Sequence, residues 1–171
     1  MTDLASYIRD VPDFPKPGIL FKDIMPLLAD ADAFRTAVDE LVEWGRPRTP
    51  DLVLGAESRG FILGGALAHE LGCGFVAARK PGKLPWKTVG VQYALEYGDA
   101  ELQLHEDAIA PGARVLIHDD LLATGGTSAA KVRLVEQLGG IVVGICFLVE
   151  LDFLHGRDAL VGQDVHALIH F

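Results

Sequence analysis

Residues 115–130 read VLIHDDLLATGGTSAA. The apolar run Val115-Leu116-Ile117-His118 has the length of a buried strand and ends at two adjacent acids, Asp119 and Asp120. A small-residue turn follows, Ala123-Thr124-Gly125-Gly126-Thr127-Ser128, and a helical pattern then runs from Ala129 to Leu138. Such a turn lets backbone N–H groups close around a phosphate, and the helix N-terminus adds partial positive charge. Two carboxylates just ahead of it can accept hydrogen bonds from neighbouring hydroxyls, such as a ribose diol. A Gly-rich turn with an acidic cap would account for TGGT alone; the paired acids at fixed spacing point to a sugar-phosphate site. A triphosphate P-loop needs a Lys directly after its second Gly, and Gly126 is followed by Thr127. A dinucleotide fingerprint places its acid about 20 residues after the glycines, not ahead of them.

Outward from this stretch, strand and helix patterns alternate. Short apolar runs at 51–54, 74–78, 114–118 and 141–149 read as buried strands. Helical periodicity covers 31–44, where Phe34, Ala37, Val38, Leu41 and Val42 share a face, and 61–71, which stops at Gly72. Asp30 or Asp32 can cap the first of these helices. The remaining expectations are a short helix at 3–10, an irregular stretch at 13–28 and a long loop at 80–93. A hairpin of 93–97 with 101–105, a helical turn at 155–160 and a last strand near 165–169 complete the chain. Strands separated by helices predict an α/β fold with a doubly wound parallel sheet. In such sheets ligands bind beyond the C-terminal strand ends, so the turns at 55–60, 79–83 and 119–127 should share one rim.

With 171 residues and 50% hydrophobic content, one compact domain over 1–171 is expected. A net charge of −9 argues against nucleic acid or an anionic membrane as the partner. Cys73 and Cys146 stand far apart in apolar surroundings without CxxC or HExxH spacing, which disfavours zinc and fits a reducing compartment. The N-terminal MTDLASYIRDVPDF lacks a basic head and an apolar core, and no run approaches membrane-spanning length, so a cytoplasmic protein is expected.

Two further stretches bear on ligands. No acid falls between Glu70 and Glu96, while Arg79, Lys80, Lys83 and Lys87 do; this window is either a solvated loop or a seat for a polyanion. At 13–28 (DFPKPGILFKDIMPLL), Pro15 and Pro17 exclude a regular helix while Phe14, Ile19, Leu20 and Phe21 demand packing. The stretch is either an N-terminal strap or a hood presenting backbone groups and a flat ring to a planar heterocycle.

These residues together resemble the type I phosphoribosyltransferase family, in its adenine-specific branch. The likeness runs through PDFPKPGILFKDI (12–24), GAESRGF (55–61), ARKPGKLP (78–85), LEYG (95–98) and DDLLATGGT (119–127). It implies transfer of phosphoribose from phosphoribosyl pyrophosphate to adenine, giving AMP and diphosphate with Mg²⁺ carried by the substrate, in a homodimer. It also implies a hood over 1–28 and a flexible lid over 80–100. Residue by residue, the likeness gives Asp119 and Asp120 the ribose hydroxyls, and Ala123, Thr124, Gly125, Gly126 and Thr127 the 5′-phosphate. Glu57, Ser58, Arg59, Arg79, Lys80 and Lys83 fall to the diphosphate, with a cis peptide at Glu57–Ser58. Phe21 would stack on adenine while backbone groups of Leu20 and Lys22 read its edge. Glu96, otherwise an ordinary strand residue, becomes the acid–base carboxyl at the purine, and Arg59 the second catalytic candidate. Related enzymes for oxopurines place their base readers late in the chain, so the hood argues for adenine. A purine-sensing regulator would need an appended DNA-binding domain or a basic face. His118 replaces the family's usual aliphatic residue and reads as a packed strand histidine, while Trp86 and Lys87 take no role.

Overall fold

The computed structural model describes residues 3–94 and 99–171. Its core is a five-stranded parallel sheet in the order β4-β3-β7-β8-β9. The strands are β3 (Leu52–Ala56), β4 (Gly74–Ala78), β7 (Arg114–Leu122), β8 (Ile141–Glu150) and β9 (Val165–His170). Two antiparallel pairs flank it: β1 (Arg9–Pro12) with β2 (Leu20–Asp23), and β5 (Thr88–Ala94) with β6 (Asp99–His105). The helices are α1 (Met25–Ala29), α2 (Ala31–Gly45), α3 (Gly60–Leu71) and α4 (Gly126–Gln137).

Alternation along the strands sorts the core into two layers. Leu116, Cys146 and Leu148 join Leu27, Leu41, Leu63 and Leu67 of α1–α3 on one face. Ile117, Ile145 and Phe147 join Leu134 and Val135 of α4 and Leu102 and Leu104 of β6 on the other. Each buried Leu or Phe contributes about 1.5–3 kcal/mol. The chain runs outward from β3 to β4, then returns to β7 on the other side of β3 and continues to β8 and β9. The switch therefore falls between β3 and β7, where Gly55 lies opposite His118.

Capping follows the expected chemistry. Asp30 Oδ1 accepts from the backbone N–H of Asp32 and Ala33 at 3.1 and 2.9 Å, and Gly72 ends α3 with φ +71°. Elsewhere the structure departs from expectation. In place of a helix at 3–10 there is a 3-10 turn, Leu4–Tyr7, and then β1. The expected irregular stretch 13–28 holds β2 and α1. Directly opposed charges, Arg9 with Asp23 and Asp10 with Lys22, pair at 2.6 Å across β1–β2 and outweigh the helical pattern. The expected loop at 80–93 becomes strand from Thr88, because Val89 and Val91 pack against the α4 layer. The turn of that hairpin, with Glu96, lies outside the described residues. The strand β7 does not stop at His118 but continues to Leu122, and α4 starts at Gly126 rather than Ala129.

Candidate active site

Because β7 continues through the acidic pair, neighbouring side chains there point to opposite faces. Asp119 turns toward α4, where Lys131 Nζ stands 2.7 Å from its Oδ2. Asp120 turns toward the start of α3, where Arg59 Nε stands 2.8 Å from its Oδ2. The two carboxylates each have their own cation, yet both line one cavity and feel each other's charge. Burial, and then the charge of Asp119, push the Asp120 carboxyl up to about 7 despite Arg59.

Gly125 has φ +83° and leads into α4, whose first turn carries N–H groups with no partner inside the helix. A cavity of about 280 Å³ opens above this turn, lined by Ala56–Arg59, Lys80, Tyr93, Leu102 and 119–128. The rim predicted from three separate turns is therefore one site. The Glu57–Ser58 peptide is cis. The Glu57 side chain faces sideways: it accepts from the backbone N–H of Lys80 at 2.6 Å and from Arg79 Nη2 and Nε at 3.0 and 3.1 Å. The Lys80 N–H, then the Arg79 guanidinium, hold its carboxyl below the usual range. Arg79 also donates to the Lys83 carbonyl at 3.1 Å, so Arg79 and Lys83 flank the cavity while Lys80 lines it.

The N-terminal β1–β2 pair meets Arg59 at the cavity's edge. Phe21 lies 5.2 Å from the Arg59 guanidinium and packs edge-on against Phe14. Leu20 is exposed; the Lys22 ammonium pairs with Asp10 and sits over the Phe171 ring. His118 is fully buried, its Nδ1 3.6 Å from Cys146 Sγ, and burial pushes it down to about 4, as suits a packed neutral histidine. Trp86 and Lys87 are exposed and do not line the cavity.

Three groups escaped the sequence reading. Tyr93 reaches the cavity, its hydroxyl 3.4 Å from Thr127 Oγ1, and Leu102 lines the same side. Lys131 is fully buried, although a lysine within a helical pattern ordinarily reads as solvent-facing. Its spacing from Thr127, one turn on along the sheet-facing side of α4, was the available signal.

Among the described residues, one group has metal-ligand spacing: Glu150, Asp152 and His170. Glu150 there is held bidentately by Arg157, at 2.8 and 2.7 Å, and His170 by Asp152 at 2.9 Å. The cavity's own acids are matched by Lys131 and Arg59. This donor set fits a Mg²⁺ held mostly by substrate oxygens and water, not an all-protein cage.

A parallel sheet with an amide turn and paired acids at its switch point has the chemistry of a sugar-phosphate-binding α/β protein. The phosphoribosyl transferase domain family matches residues 27–163, and the chain belongs to it. An adenine phosphoribosyltransferase of Desulfitobacterium hafniense is 56% identical over 169 residues, 99% of this chain and 98% of that protein. The crystal structure of adenine phosphoribosyltransferase from Thermoanaerobacter pseudethanolicus superposes with TM-score 0.96 at 53% identity, covering 99% and 98% of the two chains. The Saccharomyces cerevisiae enzyme, complexed with an imino-altritol bisphosphate and adenine, gives 0.91 at 38% identity over 95% and 94%. Within the family this chain falls in the adenine phosphoribosyltransferase branch.

Proposed function

We infer that the protein transfers the 5-phosphoribosyl group of phosphoribosyl pyrophosphate to a ring nitrogen of adenine, releasing diphosphate and leaving AMP. The observation that carries this reading is the pair Asp119/Asp120 lining one cavity with the amide turn 123–127, in a chain alike over nearly its whole length to adenine enzymes. The bond from the anomeric carbon to diphosphate oxygen breaks, the carbon–nitrogen bond forms, and the purine gives up one proton.

The ribose hydroxyls donate to Asp119 and Asp120, and the 5′-phosphate sits on the amides of Ala123 to Thr127. As the anomeric carbon gains positive charge, the departing diphosphate gains negative charge. The Glu57–Ser58 amides, Arg59 and Lys80 meet it, with Arg79 and Lys83 adding field from the flank. Ribose binding at Asp120 frees Arg59 N–H groups for the diphosphate. Phe21 stacks on adenine and the backbone of Leu20 and Lys22 reads its edge. Glu96 manages the purine's proton, assistance typically worth about 10²–10⁴ in rate. Mg²⁺ would be carried by the substrate rather than by a protein cage, and would supply charge neutralisation beside the groups of Arg59 and Lys80. We place the enzyme in the cytoplasm as a homodimer; among the described residues no helix is long and apolar enough to cross a membrane.

Incubation with Mg²⁺, phosphoribosyl pyrophosphate and each of adenine, hypoxanthine, guanine and orotate, followed by identification of the nucleotide, tests the reading. AMP and diphosphate from adenine are expected. A nucleotide formed only from another base, or none, overturns it.

A further inference from the structure

Lys131 is one of the largest fully buried side chains among the described residues, and it is charged. Its ammonium ends at Asp119, which lines the cavity. There it donates to Asp119 Oδ2 at 2.7 Å and, more weakly, to the His118 carbonyl at 3.4 Å. A lone ammonium in such a place is costly, so its partner is what keeps it there. The second Asp119 oxygen, Oδ1, accepts the Asp120 N–H at 3.1 Å. A Cβ built on Gly60 would come within 2.7 Å of that same oxygen, so α3 also closes on the carboxylate. Asp119 is thus clamped from α4 by charge, from β7 by an amide and from α3 by shape. Asp120, by contrast, has Arg59, which is one-third exposed and free to leave.

We propose that Lys131 is a positioning residue for phosphoribosyl pyrophosphate: it orients the Asp119 carboxylate toward the ribose and supplies the charge that lets two adjacent acids share the cavity floor. The proposal rests on the assignment of the ribose to Asp119 and Asp120. Lys131 itself touches no substrate and acts only through Asp119. The groups facing this cluster are Asp119, Asp120 and His118 of β7, Cys146 of β8 and Arg59 ahead of α3. His118 is neutral and Cys146 is pushed up to about 12 by burial, so neither offers a replacement charge. Lys131 and Arg59 are the two cations whose fields oppose the raised Asp120 carboxyl. Removing Lys131 leaves Asp120 facing the Asp119 charge with Arg59 alone.

The test is Lys131→Met, which keeps the length and removes the charge. The KM for phosphoribosyl pyrophosphate should rise about tenfold at neutral pH with the adenine KM unchanged, and the acid limb of binding should move up by about one pH unit. Lys131→Gln, which keeps a donor without a charge, should recover much of the affinity at high pH and still show the moved limb; it also carries the test if the Met variant does not fold. A KM within twofold of wild type and an unmoved limb in the folded variant would overturn the proposal. The cycle with Asp119→Asn separates the two readings. If Asp119→Asn alone leaves phosphoribosyl pyrophosphate binding intact, the ribose assignment fails. If it weakens binding and Asp119→Asn/Lys131→Met weakens it a further tenfold, the assignment stands and Lys131 acts by some route other than Asp119.

Discussion

At the scale of single residues, Asp119 and Asp120 are neighbours that act on each other but are held in place differently. One is clamped by a buried lysine and the other is held by a partly exposed arginine at the mouth of the cavity. The difference has a consequence for stability in the ligand-free protein. Asp120 is raised to about 7, so between pH 4 and 7 the native protein holds a proton that the unfolded chain has released. Its contribution is therefore full below about pH 4 and is lost as pH rises through about 7. His118, pushed down to about 4, works the other way: its contribution is present above the ordinary histidine range and lost as pH falls. In a comparison of wild type with Asp120→Asn, the histidine is common to both and cancels. The variant should gain on wild type as pH rises from 4 to 7.5, by on the order of 1 kcal/mol per pH unit, or roughly 2–4 °C in Tm for each kcal/mol. Thermal melts across that range check it. A constant gap between the two proteins would mean that Asp120 takes up no proton on folding.

At the scale of elements, the phosphate turn depends on a second turn packed behind it. A Cβ on Gly125 would come within 2.3 Å of the Gly156 carbonyl, and one on Gly156 within 2.2 Å of the Ala123 carbonyl. Two backbones meet there with no space for a side chain. The 3-10 helix Gly156–Leu160 is itself tied to the sheet by Arg157, through Glu150 at the end of β8 and the Val165 carbonyl at 3.1 Å. Gly156→Ala should push Ala123 outward and misplace the amides. Overpacking of this kind costs about 1–3 kcal/mol, and the expected loss in phosphoribosyl pyrophosphate affinity by calorimetry is about tenfold. Gly65→Ala, where the added methyl meets nothing, is the control; equal affinity in both variants would remove the buttress. None of this support was visible from residue order. The rim itself was legible, because strand, small-residue turn and helix leave local signals in VLIHDDLLATGGTSAA and in LVLGAESRGF. Lys131, the Arg59–Asp120 pair and the Gly156 contact join residues whose meeting depends on packing between elements, and composition does not report that. The β1–β2 pairing was hidden for another reason: two four-residue strands with charges at 9 and 10 and at 22 and 23 show their logic only once the register is known.

At the scale of the whole molecule, the hood and the β5–β6 hairpin approach the cavity from two sides, and their attachments differ. The hood is tied down by Ile24 in the core and by the Lys22 ammonium over the Phe171 ring, 3.8 Å from its centroid. In the hairpin, Leu102 and Leu104 of β6 are buried in the α4 layer, and β5 is joined to α4 by Arg133 donating to the Gln92 carbonyl at 3.2 Å. A segment with its apolar side in the core cannot swing as a unit. Residues 80–87 bury no side chain: Pro81, Gly82 and Pro85 interrupt them and Trp86 is 61% exposed. Their ties are at the ends, where the Lys80 N–H donates to Glu57 at 2.6 Å and the Lys87 carbonyl accepts from the Glu106 N–H at 3.0 Å, while the Lys87 ammonium meets the Glu106 carboxylate at 3.8 Å on the surface. Exposed pairs of that kind hold little. We propose that closure over bound diphosphate, which would bring the Lys80 and Lys83 charges inward, is led by this segment of the lid expected at 80–100. Hydrogen exchange with and without Mg²⁺, phosphoribosyl pyrophosphate and a non-reacting adenine analogue should show protection gained at Gly82, Leu84, Trp86 and Lys87. Amides at 102–105 should exchange alike in both states. Equal gains in the two segments would mean that the hairpin moves as one body, with Leu102 and Leu104 leaving the core to do so.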